Sequence, residues 1–150
     1  MNSYNPQNVI NGTYGELWVD GNYLAQVTAL EAKVTFTKAD VNMTRRLMKA
    51  QKVTGMEGKG TIKLNKVSSF FINLLSDDMK NGRQNSFTII SKLDDPDALG
   101  AERVVLKDCT FDELTLANWE AKKNGEESIP FTFSDWELRD VIGKEGTSTK

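Results

Sequence analysis

At 150 residues with 39% hydrophobic content, the chain is sized for one domain around one core, and a division into two would leave neither half adequate burial. Its 19 basic and 21 acidic residues leave a net charge of -2, which argues against a protein whose main task is gripping phosphate backbones. With no His and a single Cys, Cys109, an internal disulfide, the usual zinc set and a His-activated nucleophile are all out of reach.

Residues 1–13 hold Asn, Ser, Pro and Gly with little periodicity and are expected to form an extended arm. The opening Met-Asn-Ser-Tyr-Asn-Pro has neither the basic region nor the apolar stretch of a secretory leader, and no apolar run approaches bilayer length, so synthesis in the cytoplasm and no membrane contact are expected. Two strand-like runs, Glu16 to Asp20 and Asn22 to Thr28, flank Asp20-Gly21, a good hairpin turn. From Glu31 to Thr37 apolar and polar residues alternate strictly, which predicts a strand with Ala32, Val34 and Phe36 toward the core. After Lys38 the parity changes, with Ala39, Val41 and Met43 in the apolar places, so a bulge or break is expected there.

The segment 42–60 carries Arg45, Arg46, Lys49, Lys52 and Lys59 against the single acid Glu57 and ends with glycines at 55, 58 and 60. It is expected to be a long basic loop. It reads as a solvated loop, as an amphipathic helix around Thr44 to Lys52, or as an arm that orders against neighbouring subunits through Met43, Leu47, Met48, Val53 and Met56 between the cations. Thr61 to Asn65 resumes the alternation with Ile62 and Leu64 inward.

One stretch has helical spacing: from Ser68, the apolar residues Phe70, Phe71, Leu74, Leu75 and Met79 recur every three or four positions, and Gly82 stands as a C-terminal stop. Strands are predicted at Ser86 to Leu93 and Glu102 to Cys109, separated by the turn at residues 94–97. Two further runs, Phe111 to Ala121 and Ser128 to Leu138, flank Lys123-Asn124-Gly125-Glu126-Glu127, and Asn-Gly between such runs predicts a β-hairpin. The tail 143–150 has no apolar anchor and is expected to be mobile. Short strands with frequent turns and one helix predict a mainly β domain, an antiparallel sandwich or barrel with one flanking α-helix.

Candidate chemistry is thin. The acidic pairs Asp77-Asp78, Asp94-Asp95, Asp112-Glu113 and Glu126-Glu127 point to opposite faces or into solvent, and residues 94–97 lack the glycine and distal Glu of a calcium loop. Cys109 sits in an apolar strand and reads as an inert buried thiol. Trp18, Trp119 and Trp136 read as core or subunit-contact residues rather than ligand platforms. No catalytic residue, cofactor or metal is expected.

The run Phe-Asp-Glu-Leu-Thr-Leu-Ala-Asn-Trp-Glu-Ala at 111–121, Pro-Phe-Thr-Phe-Ser-Asp-Trp-Glu-Leu at 130–138, the opening Gly-Thr-Tyr-Gly-Glu-Leu-Trp-Val-Asp-Gly at 12–21 and Val-Thr-Gly-Met-Glu-Gly-Lys-Gly-Thr at 53–61 together resemble the tail tube proteins of contractile phages and of phage-derived particles in Gram-positive bacteria. That resemblance implies a structural subunit, stacked as hexameric rings around a channel for DNA or other cargo. It implies as partners further copies of the chain, a sheath, baseplate and tape-measure proteins, and DNA that passes without specific binding, in a virion tail. A tube subunit of a secretion system or contractile bacteriocin, and a small ligand-binding barrel, are the alternatives. The expected subunit contacts are Met43, Arg45, Arg46, Leu47, Met48, Lys49, Lys52, Val53 and Met56 of the basic segment, with Glu126 and Glu127 as acidic partners.

Overall fold

Two short 3-10 turns, Pro6–Asn8 and Gly12–Tyr14, begin the chain. Each is preceded by an Asn whose side chain accepts a backbone N–H two residues on, Asn5 from Gln7 and Asn11 from Thr13, the local bond that Asn favours at such positions. The computed structural model describes residues 3–142 and 148–149. Across the molecule, the Asn11 N–H donates to Asp95 Oδ2 at 2.9 Å, so the expected arm is pinned at its far end.

Strand β1 (Gly15–Val19) turns through Asp20-Gly21, both at positive φ, into the short β2 (Asn22–Tyr23), as the sequence predicts. Then come β3 (Val27–Val41), β4 (Ala50–Asn65), helix α1 (Phe70–Lys80), β5 (Phe87–Leu93), β6 (Glu102–Phe111), β7 (Glu126–Phe133), β8 (Asp135–Ile142) and β9 (Ser148–Thr149). All pairing is antiparallel, in the order β2-β1-β5-β6-β7-β4-β3. Strand β8 pairs β6 opposite β5, because both neighbours bond the same stretch, Arg103 to Leu106. The chain thus leaves β7 through Ser134 and joins the second sheet as β8, and β6 is shared by both layers.

The core lies between these layers and under α1. Leu17 and Val19 of β1, Ile62 and Leu64 of β4, Phe87 and Ile89 of β5, and Ile129, Phe131 and Phe133 of β7 all point inward at period-2 spacing. Phe71 and Leu75 of α1 close one side. The rings of Phe71, Phe87, Phe111, Phe131 and Phe133 form a continuous series with neighbouring centroids 5.4–6.2 Å apart, in tilted and edge-on geometries that aromatic pairs prefer. The interior is filled, which removes support from a ligand-binding barrel. Cys109 is fully buried, and burial pushes its thiol up to about 12, so it is an inert core residue.

The structure corrects three expectations. Residues 50–60 are strand, not loop or helix, and only 42–49 connect β3 to β4. Gly58 and Gly60, which read as loop residues, stand opposite Phe133 and Phe131, where an added Cβ would meet the rings at 2.6 and 2.4 Å. They are strand positions emptied for aromatic neighbours. Second, only the first residues of the run Phe111 to Ala121 meet the following run, Phe111 in register with Phe131 and the Asp112 N–H on the Pro130 carbonyl: β6 ends at Phe111, residues 112–125 are irregular, and β7 pairs chiefly with β4. Gly125 is there for close approach, since its carbonyl accepts the Lys66 N–H at 2.7 Å and a Cβ would lie 2.8 Å from that of Lys66. Third, Ala32, Val34 and Phe36 share the face of the core strands but are exposed, because nothing lies over that part of β3. The expected bulge is present, as a register shift between Thr37 and Lys38. The expected mobile tail falls largely outside the described residues; within it, Ser148–Thr149 pairs with Val141 and Ile142.

Candidate self-assembly surfaces

Beyond the last pair that β4 makes with β7, Gly58 with Phe133, the strands β3 and β4 continue alone. Thr35 to Val41 pair there with Ala50 to Glu57, a two-stranded ribbon that projects about 23 Å at ~3.3 Å per residue. An isolated ribbon of two strands is marginal in water. With its connecting segment, this one exposes Phe36, Val41, Met43, Leu47, Met48, Val53 and Met56, with Leu47 wholly uncovered at 104%. Its apolar surface is of the kind that marks an interaction site.

The predicted contact residues are therefore brought together on one projecting element. Met43, Arg45, Arg46, Leu47, Met48 and Lys49 lie on the connecting segment, and Lys52, Val53 and Met56 lie on β4. Lys49 pairs with Asp40 at 3.7 Å, while Arg45, Arg46 and Lys52 have no acidic partner among the described residues. Glu126 and Glu127 sit at the opposite end of the same sheet, in register with Asn65 and Leu64. The Glu127 carboxylate is engaged by Lys66 of its own chain, so it is not free to receive a cation from elsewhere.

A second apolar surface was read from the sequence only as far as Trp136, as a core or subunit-contact residue. Trp136 and Leu138 of β8 lie in register with Leu106 and Val104, on the inward face, yet are 41% and 54% exposed. Trp136, with Leu30, Val34 and Phe133, bounds a groove of about 410 Å³ between β3 and β8. The signal was available: in Trp136-Glu137-Leu138 apolar and charged residues alternate as in a strand with one covered face. Leu116 and Trp119 are exposed in the loop between β6 and β7. Strand β3 pairs with β4 alone among the described residues, so its other edge offers open backbone N–H and C=O groups.

The face of β3, β4 and β7 turned away from the core is different in kind. It presents Thr35, Thr61 and Thr132, and its charges are matched locally, Lys33 with Glu31 at 3.2 Å and Lys59 with Glu57 at 3.3 Å. Lys63 of that face has no acidic partner among the described residues.

Exposed apolar surfaces and an open strand edge are of the kind that mark contact sites. The profile of the phage tail tube proteins matches residues 2–140. The chain belongs to that family. A curated relative, the phage-like element PBSX protein XkdM of Bacillus subtilis (strain 168), is 39% identical over 138 residues, spanning 91% of this chain and 94% of the relative. The uncharacterized protein YqbM of the same strain is 38% identical over the same shares. Among solved structures, a Bacillus subtilis protein 38% identical superposes with a TM-score of 0.51 over 88% of this chain and 96% of that one. At 8% identity, the tube-terminating cap of the anti-feeding prophage superposes with a TM-score of 0.71, covering 92% of this chain and 95% of that one. The sheath–tube complex of an extracellular contractile injection system, at 10% identity, reaches 0.65 over 88% and 92%. The tail tube fold is thus the fold of this chain: mainly β, antiparallel, with one helix on its flank.

Proposed function

We propose that this protein is the subunit of the inner tube of a contractile phage tail or phage-like particle, and that its copies close into hexameric rings which stack around a channel. The observation that carries this reading is the projecting ribbon together with the open edge of β3. Closing a ring and stacking rings need two different sets of complementary surfaces on each copy, and a ribbon reaching well past its own body is suited to the second. The open edge is suited to the first, because a strand from the next copy would satisfy its backbone groups.

In this reading the face bearing Thr35, Thr61 and Thr132 lines the channel. Every unpaired cation facing passing DNA adds phosphate affinity and slows passage, so a lining of hydroxyls and locally matched charges is the suitable one. DNA or another cargo crosses without specific binding, and the role is structural rather than catalytic. A sheath outside, a baseplate at one end and a tape-measure protein within are the partners that go with it. The chain is made in the host cytoplasm and ends in the tail of the particle.

The test is imaging of concentrated purified protein by electron microscopy, beside a variant in which residues 40–51 are replaced by an Asn-Gly turn joining Ala39 to Lys52. The wild type should form tubes with six-fold symmetry. The shortened chain should keep the β-sheet circular dichroism spectrum and form none. A wild type that stays monomeric at all concentrations would sink the tube reading, and normal tubes from the shortened chain would remove the ribbon from it.

A further inference from the structure

Charge is distributed unevenly along β3. Where the strand finishes, the ribbon and its connecting segment carry Lys38, Arg45, Arg46, Lys49 and Lys52 against two acids, Asp40 near the tip and Glu57 at the base. Where it begins, Glu16, Asp94, Asp97 and Glu102 gather, because β1 starts, β5 finishes and β6 starts there, with Gly15 opposite Leu93 and Leu93 opposite Glu102. None of these four acids is in an ion pair among the described residues. Glu16 and Glu102 line a cleft of about 390 Å³ between β3 and the ends of β1, β5 and β6, with Leu24, Leu30 and Leu93 as apolar walls and Lys92 as the cation in the lining.

We infer that this cleft is the seat for the basic ribbon tip of a second copy of the chain. Four observations choose that occupant. The ribbon cannot reach its own cleft, since about 40 Å of extended strand, at ~3.3 Å per residue, separates Ala29 from Val41. The tip carries charge opposite to that of the two carboxylates in the lining, which outnumber the one cation there, Lys92. It also carries Leu47 and Met48, exposed at 104% and 79%, which need an apolar wall such as the cleft provides. Finally, donor and acceptor lie at opposite ends of one strand, so the contact is head-to-tail and repeats without limit, as growth along an axis requires. Glu127, one of the acids expected to receive these cations, already holds Lys66. The inference rests on the tube reading and names the two surfaces that would join successive copies.

Charge exchange tests it. A ribbon variant, Arg46→Glu with Lys52→Glu, and a cleft variant, Glu16→Lys with Glu102→Lys, each oppose like charges when alone. Each should lower pelletable polymer about tenfold or more while remaining folded by circular dichroism, because like charges placed together cost several kcal/mol and each 1.4 kcal/mol is a factor of ten. In an equimolar mixture the reversed ribbon meets the reversed cleft and the native ribbon meets the native cleft, so assembly should return. A single chain carrying all four substitutions should assemble by itself. Wild-type polymer with variants that assemble equally well, or with folded variants whose mixture and four-fold combination both stay soluble, overturns the seat and leaves the tube reading standing. A wild type that never polymerises overturns both.

Discussion

At the scale of single residues, the most instructive positions are Gly58 and Gly60. In a sequence, glycines at 55, 58 and 60 beside a run of cations read as loop, because glycine weakens strands by its backbone freedom. In the fold that cost is outweighed by space: the Phe131 and Phe133 rings lie across the bare Cα positions of the neighbouring strand. Gly60→Ala should therefore destabilise by about 1–3 kcal/mol, as overpacking does, since its Cβ would meet both the Phe131 ring and the Glu31 backbone carbonyl at 2.4 and 2.6 Å. Chemical denaturation of the two proteins checks this; an unchanged midpoint would mean that the rings move aside freely. Gly12→Ala serves as the control, because no atom lies within 4 Å of its added Cβ. The inward residues Ile62 and Leu64 were legible, since alternation marks a covered face. What alternation does not reveal is whether anything covers it, and Val34 and Phe36 show the difference.

At the scale of elements, α1 was legible almost to the residue, since its apolar spacing and the Gly82 stop are local signals. The helix begins after Ser69 rather than Ser68, with no side-chain cap bond, and Gly82 takes positive φ as expected. Packing holds it: Phe71 and Leu75 are buried while Met79 is exposed. Phe71→Ala should cost about 3–5 kcal/mol, the range for a buried aromatic removed from a core, and Met79→Ala less than about 1 kcal/mol. Thermal melts of both variants would decide, and equal effects would show that the helix docks more loosely than the ring contacts of Phe71 imply. The predicted hairpin at Asn124-Gly125 failed for a reason of range. Its turn chemistry was local, but β7 finds its partners in β4 and β6, and the glycine serves the approach of Lys66. Local turn signals cannot report a competing long-range pairing.

At the scale of the whole molecule, the class of fold follows from many short alternations and one helix, whereas the layer order does not. Strand β6 shared by two sheets, and the passage from β7 to β8 through Ser134, depend on pairings between distant parts of the chain. The polarity of the molecule was only half legible. The basic segment stands out in the sequence, but the acids that answer it, Glu16, Asp94, Asp97 and Glu102, come from three separated stretches and meet only in the fold. That polarity has a kinetic consequence. Exposed charges attract over a Debye length, about 10 Å at 0.1 M salt and ~3 Å at 1 M, while apolar contact by Leu47, Met48 and their counterparts is not weakened by sodium chloride. Raising the salt from about 0.05 to 1 M should therefore slow elongation steeply, in line with the salt dependence of steered association. The final amount of polymer should fall less, because the apolar part of each contact persists. Light scattering gives the rate and sedimentation gives the amount. A rate that is flat across that range would mean that the ribbon's cations take no part in bringing copies together, leaving their apolar neighbours as the whole of the attraction.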